Sequence, residues 1–448
     1  MNEASSPLGK AELRRTIGPT QMAFYALGSM LGSGIYGLIG QAAGQAGNAV
    51  WLSFLIAMVA ALLTALTYAS LGSRYPRAGG AAYVVERAFG SPLLGFVTGL
   101  AVVCSGLASV ATQAQVFSVN VAALFDLAAV SVPLIAGGFL LLLAGVVFRG
   151  IRESMWVNIL CTCVEATGLL IVIGTGIAWW GSVDYLEVPS SADGVSSDLL
   201  LLVVMQGTVL TFFAFIGFED TINVAEECRD PHRTIPIGLL AAMGIAAALY
   251  IAVAITAVSV VPWQELAAAP GPLTEVIRVA APAIPPVVFT AITLFAVSNT
   301  ALVNYITSSR LLYGMARQGL LPEAVGRVHP VSRTPHVAIV GLLVLLGPLA
   351  LLGSIAQLAS AAVLLLLLVF ALMNAALVIL RRRAGEPRGA FEIHPALPAG
   401  GVLICTALIL QRVVNGDWVA PALAGAMVAG ILLTYMALYG RIAKSPPH

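Results

Sequence analysis

Gly28-Ser29-Met30-Leu31-Gly32-Ser33-Gly34 interrupts the first long apolar stretch of the chain. Three glycines and two serines fall where a membrane helix needs to be most regular, and each interior glycine costs about 1 kcal/mol of helix propensity relative to alanine. A plain anchor has no use for such a run. In hydrocarbon, a backbone group released from its helix costs several kcal/mol unless protein, water or ligand satisfies it. Broken helices therefore persist only where they line a cavity. The run predicts a binding site at membrane depth.

The surrounding sequence agrees with that medium. Of 448 residues, 59% are hydrophobic and 10% charged, against about 25% charged in a soluble domain. Crossing ~30 Å of hydrocarbon takes about 20 apolar residues. Such stretches recur over 18–43, 48–71, 92–122, 131–148, 154–180, 199–225, 234–260, 285–314, 336–353, 357–381, 397–413 and 418–440. The expected class is an all-α polytopic membrane protein with twelve transmembrane helices. Positive charge is retained on the cytoplasmic side, and with both termini there, every Lys and Arg except Arg278 and Arg412 falls in cytoplasmic tails, loops or adjoining span ends. The first segment is too long for a signal h-region and no small-residue cleavage site follows it, so it is expected to remain in the mature chain.

The spans divide into a first set over 18–180 and a second over 199–381, separated by an external loop, 181–198, that carries Asp184, Glu187, Asp193 and Asp198. A cytoplasmic loop, 382–396, leads to two extra C-terminal helices within 397–440. The tails, 1–17 and 441–448, are too short for a soluble domain. Segment six is interrupted near Phe215-Ile216-Gly217-Phe218, as segment one is at Gly32-Ser33-Gly34. Two sets of five spans run in opposite orientations. An inverted five-plus-five repeat with discontinuous first helices holds its substrate at the midplane, between half-helix ends. Residues 80–90 and 272–281 read as interfacial helices at corresponding places in the two halves, or as extensions of tilted spans.

Carboxylates inside spans are expensive and are functional candidates by default. Glu165 and Glu219 qualify, whereas Asp220, Glu226, Glu227 and Asp230 are expected at the cytoplasmic surface, screened by Arg229 and Arg233. Glu219 either acts in coupling or caps the second half of segment six. Glu165 has nothing cationic beside it in sequence; an isolated buried carboxylate is suited to taking up a proton, or it stays protonated against a facing helix. Phe213 and Ile216 share a face beside the break, so Phe213 either lids a ligand or simply packs. Gln113 and Gln115 are candidate polar groups of the pocket. The five histidines lie in cytoplasmic loops, at their edges or in a tail, and Lys10 and Lys444 are in tails, so no histidine relay, haem or buried lysine is expected. Cys161 and Cys163 point to different helix faces; the five cysteines imply neither a metal site nor a disulfide framework.

The glycine run with Ile35, Phe212–Glu219, Ala225-Glu226-Glu227, Pro231-His232-Arg233-Thr234-Ile235-Pro236, Gly150–Ser154, Ser298-Asn299-Thr300-Ala301 and Ser309–Arg317 together resemble the amino acid-polyamine-organocation transporters, in order along nearly the whole chain. The resemblance implies a LeuT-like fold. It places a substrate α-carboxylate at Ser33 and the backbone N–H groups around Gly32 and Gly34, and an α-ammonium at the carbonyls of Met30, Phe213 and Ile216. Phe213 matches the family's external gate. Many proton-coupled relatives keep a lysine in span five that stands in for sodium. Here that position is Glu165, which leaves the coupling ion open between a proton and sodium, with Ser298 and Thr300 as candidate cation ligands. The cysteine that bonds an ancillary chain in mammalian relatives has no counterpart in residues 123–131, so no disulfide-linked heavy chain is expected.

The expected function is a secondary amino acid carrier of the plasma (inner) membrane, proton-coupled and working on a neutral substrate, with exchange or sodium coupling as alternatives. No cofactor and no nucleic-acid partner is expected, and a monomer or homodimer is equally compatible. A sensor would need a sizeable soluble output domain, a channel would need charge rings or a carbonyl filter, and an intramembrane enzyme would need a nucleophile, base or metal constellation within the spans.

Overall fold

The computed structural model describes residues 13–127, 131–189, 204, 207–208, 210–269, 271–352, 355–414 and 418–442. Expectations for residues 190–198, the start of segment six and most of both tails lie outside these. The described chain is helical. Its first apolar segment forms α1 (Pro19–Met30) and α2 (Ser33–Ala46), followed by α3 (Val50–Arg74), α4 (Gly80–Phe89), α5 (Pro92–Leu124), α6 (Val132–Arg149) and α7 (Ile151–Gly176). Two 3-10 helices, Phe213–Phe215 and Phe218–Glu227, lead into α8 (Pro231–Val260). Then come α9 (Trp263–Ala268), α10 (Pro272–Ala280), α11 (Pro286–Arg317), α12 (His336–Leu352), α13 (Ile355–Arg382), α14 (Ala396–Val414) and α15 (Val419–Ile442).

Proline sets many of these starts. Pro19, Pro92, Pro231, Pro272 and Pro286 each stand in the first turn, where the missing N–H would have no partner anyway and the fixed φ suits a helix. Ser91 caps α5 by accepting the Leu94 N–H at 3.4 Å. Among the described residues, eight helices are long and apolar enough to cross a membrane, and the apolar stretches His336–Ala350 and Ala396–Leu410 are shorter. Leu134 and Leu403 expose 79% and 72% of their surface, as side chains that face lipid rather than water do.

Inside, α5 packs along α11 and α3 along α8, with α1 held between α7, α8 and α11. Residues 80–90 and 272–281 form separate short helices, α4 and α10, each preceding a long helix. The segment entering α1 is pinned by backbone: Thr16 and Ile17 N–H donate to Glu227 O at 2.8 and 3.0 Å, and Arg229 N–H donates to Ile17 O at 3.0 Å.

Candidate substrate site

The two interruptions read from sequence meet in space. α1 stops at Met30, Leu31 closes its last turn through an N–H to Leu27 O, and Gly32 (φ −52°, ψ −153°) turns the chain out of the helix before α2 resumes at Ser33. In segment six, Ile216 is extended (ψ 139°) and Gly217 adopts φ 127°, a region open to glycine and strained for other residues.

Close approach explains the glycines. A Cβ at Gly34 would sit 3.0 Å from Ala214 Cα, and one at Gly217 would sit 2.6 Å from Ser29 Oγ, so the two breaks pack on each other. Gly32 faces the Thr300 hydroxyl, and Gly28 faces Thr162, Asn158 and Asn299, each too close for any side chain at the glycine. Tyr250 of α8, fully buried, ties the breaks together: its hydroxyl lies 2.5 Å from Met30 O and 2.9 Å from Ala214 O. One O–H proton is shared between carbonyls from both broken helices.

Around this junction lies a cavity of about 570 Å³. Its wall includes Met30, Gly32, Gly34, Phe213, Ile216, Gln113, Glu219 and Thr300, so the structure brings most of the sequence-derived set to one place. Ser105 and Asn304 add polarity, and among the described residues no Lys, Arg or His lines it. Ser33 begins α2 beside it; its side chain lies outside the described part. Thr300 donates back to Ala296 O at 3.2 Å. Ser298 stands apart from the cavity, donating to Leu294 O at 2.6 Å, and Gln115 reaches Ala350 O instead.

Glu165 is completely buried behind the break rather than on the cavity wall. Neither carboxylate oxygen has a hydrogen bond of ordinary geometry, although the Asn299 side chain is near enough to act on it. The Tyr36 hydroxyl donates to Glu165's backbone carbonyl at 2.8 Å. Toward the break runs an amide–hydroxyl chain: Asn158 Nδ2 donates to Asn299 Oδ1 at 2.9 Å, and Asn299 Nδ2 donates to Thr162 Oγ1 at 3.0 Å.

The acidic segment departs from the sequence reading. Asp220 and Glu227 are buried, not at the surface; Glu226 is half-buried, and only Asp230 of the four is exposed. The reason is that the 3-10 helix Phe218–Glu227 stays packed against α1, α3 and α11. Glu219 accepts the Gly217 N–H at 2.8 Å, as the capping alternative anticipates, and Asp220 accepts the Ser29 hydroxyl at 2.6 Å. Glu227 pairs not with Arg229 or Arg233 but with Arg310 of α11, Nε to Oε2 at 3.2 Å and Nη2 to Oε1 at 3.3 Å, both side chains fully enclosed. Between the two levels, Tyr25 and Thr307 hydroxyls lie 2.9 Å apart. Tyr250 and the pairing of Arg310 escaped the sequence reading, Ser29 was given no role of its own within the glycine run, and Asp220 was expected at the surface. Arg310 carried one usable signal, a guanidinium inside an apolar segment, which needs a partner by default.

The sequence also matches known proteins. The amino acid permease family profile matches residues 17–439. An uncharacterised transporter of Mycobacterium tuberculosis is 31% identical over 90% of this chain and 89% of its own. A branched-chain amino acid permease of Bacillus subtilis is 26% identical over 92% and 90%. A chloroplastic cationic amino acid transporter of Arabidopsis thaliana is 29% identical over 71% of this chain, which spans 58% of that relative's length. The chain belongs to the amino acid permease family, within the amino acid-polyamine-organocation superfamily that its motifs resemble.

Proposed function

We propose that the protein is a secondary active carrier that moves an amino acid across the plasma membrane by alternating access. The observation that carries this reading is the cavity at the junction of two broken helices. A zwitterion needs donors at one end and acceptors at the other. The start of α2 offers N–H groups and a helix dipole to the carboxylate, with Ser33 beside them. Carbonyls of Met30, Phe213 and Ile216 offer acceptors to the ammonium; Met30 O is also engaged by Tyr250, but a carbonyl has two lone pairs. Gln113 faces the substrate side chain and Phe213 closes the site from outside. The twelve-span, five-plus-five arrangement with cytoplasmic termini belongs to the same proposal. It is supported by the packing of α3 on α8 and α5 on α11, pairs that occupy corresponding places in the two halves.

Coupling is assigned to a proton taken up by Glu165, because that side chain is enclosed and, among the described residues, forms no ion pair. A neutral substrate fits a cavity whose two carboxylates are already engaged by Gly217 and Ser29. A cationic amino acid is the second reading, favoured by the position of Glu219 and Asp220 on the cavity wall. Proteoliposome uptake of branched-chain and of cationic amino acids, under a pH gradient, a sodium gradient or neither, tests all of this. Accumulation of a neutral amino acid driven by the pH gradient into empty vesicles is expected. Uptake only into vesicles preloaded with amino acid, whatever the gradient, overturns symport in favour of exchange. Sodium-driven uptake moves the coupling role to the Thr300 side of the break. No transport of any amino acid overturns the function.

A further inference from the structure

A second pocket, of about 410 Å³, opens where the segment entering α1 meets the first turns of α7. Three arginines from three separate pieces of chain wall it: Arg14 from the N-terminal segment, Arg152 from α7 and Arg229 from the loop before α8, with Gln21 also on the wall. Among the described residues no acidic side chain lines it, and none of the three arginines forms an ion pair. Glu153, next to Arg152, turns its carboxylate toward Gly150 instead. The arrangement is held from behind by backbone: Thr16 and Ile17 bond Glu227 O, and the Arg229 N–H bonds Ile17 O. Three like charges are thus brought together on a pinned scaffold with no counter-charge among the described residues, an arrangement that favours an anion.

The rim of the pocket decides which anion. Arg152, Trp156 and Leu160 follow one another at four-residue spacing on one face of α7, with Trp156 65% and Leu160 58% exposed. Arginine, then an indole, then an aliphatic side chain is the order of the headgroup layer, the interface and the hydrocarbon. Ile159, inside the pocket, continues the apolar side. We propose that this pocket binds the phosphate headgroup of an anionic phospholipid of the cytoplasmic leaflet, with one acyl chain descending past Trp156 toward Leu160. The leaflet follows from the orientation given above. A headgroup seated here bridges the segment that enters α1 to α7, and so restrains the half-helix on one side of the break.

Native mass spectrometry of the full chain tests this, with phosphatidylglycerol as the probe, phosphatidylcholine as the neutral reference and inorganic phosphate as the soluble anion. Retention of phosphatidylglycerol over phosphatidylcholine is expected. Arg14→Gln, Arg152→Gln and Arg229→Gln should each weaken it about fivefold, and the triple variant about a hundredfold. Arg388→Gln, an exposed arginine in the loop after α13, should leave it unchanged. Binding that survives the triple substitution, or that falls equally with Arg388→Gln, overturns the site in favour of diffuse surface charge. Displacement of the lipid by inorganic phosphate, with the same arginine dependence, overturns the lipid assignment in favour of a soluble anion.

Discussion

Arg310→Met removes the guanidinium from a pair in which both partners are fully enclosed. Glu227 would then be a buried carboxylate facing its former partner's place across 3.2–3.3 Å of lost hydrogen bonds, and Ser309 would lose the Nη1 contact at 3.0 Å. Breaking a buried pair by removing one partner costs about 3–5 kcal/mol, because the remaining charge is uncompensated. Replacing both by apolar residues of similar volume is often close to neutral. Equilibrium unfolding in mixed micelles should therefore show Arg310→Met about 3–5 kcal/mol less stable than the parent. The double variant Arg310→Met/Glu227→Leu should return to within about 1–2 kcal/mol. The excess over additivity is the coupling energy of the pair. A single variant as stable as the parent, or a double variant as unstable as the sum of the singles, would refute the reasoning that this pair joins α11 to the acidic 3-10 helix.

Four further outcomes follow from the geometry. Gly34→Val puts methyl groups against the Ala214 backbone, an overpacking of about 1–3 kcal/mol; it should abolish the substrate-induced thermal shift, and unchanged affinity would sink the site. Tyr250→Phe keeps the ring packing on Phe54 and Phe215 but strips a donor from two carbonyls, so unfolding free energy should fall by about 1–2 kcal/mol; no loss would show that the hydroxyl does not tie the breaks. Glu165→Gln should end proton-driven accumulation while sparing exchange, and accumulation with the parent's rate and pH profile would remove its coupling role. In the loop after α13, burial opposes the ionisation of Glu386, but hydrogen bonds from Arg87 and Tyr75, with Arg383 nearby, outweigh it and hold the carboxyl below the usual range. A depressed carboxyl stabilises above its unfolded value of about 4.3 and loses that contribution as pH falls through the folded one. Protease cleavage in 382–396 should therefore rise below about pH 4, and at neutral pH in Arg87→Ala; a flat pH profile would refute the clasp.

Much of the site was legible because its signals are violations of local rules. Gly28, Gly32, Gly34 and Gly217 stand where helix propensity and membrane depth both object to them, and the only physical reason to keep them is a break with something packed against it. Gln113 was legible as a polar group in an apolar helix, whereas Thr300 was singled out only through the family resemblance, as a candidate cation ligand. The error over Asp220 and Glu227 arose because a run of charges close to a helix end looks the same in sequence whether the chain leaves the membrane there or stays tucked under its neighbours.

By itself, the sequence determined the medium, the helices and the two places where helices fail, since hydropathy, proline starts and glycine runs are local properties of consecutive residues. Only the tertiary structure decided that the two failures touch through Gly34–Ala214 and Gly217–Ser29, that Tyr250 spans them, and that Arg310 neutralises Glu227. Those relations join residues up to 220 positions apart, and no local preference encodes which distant face a buried polar group will meet.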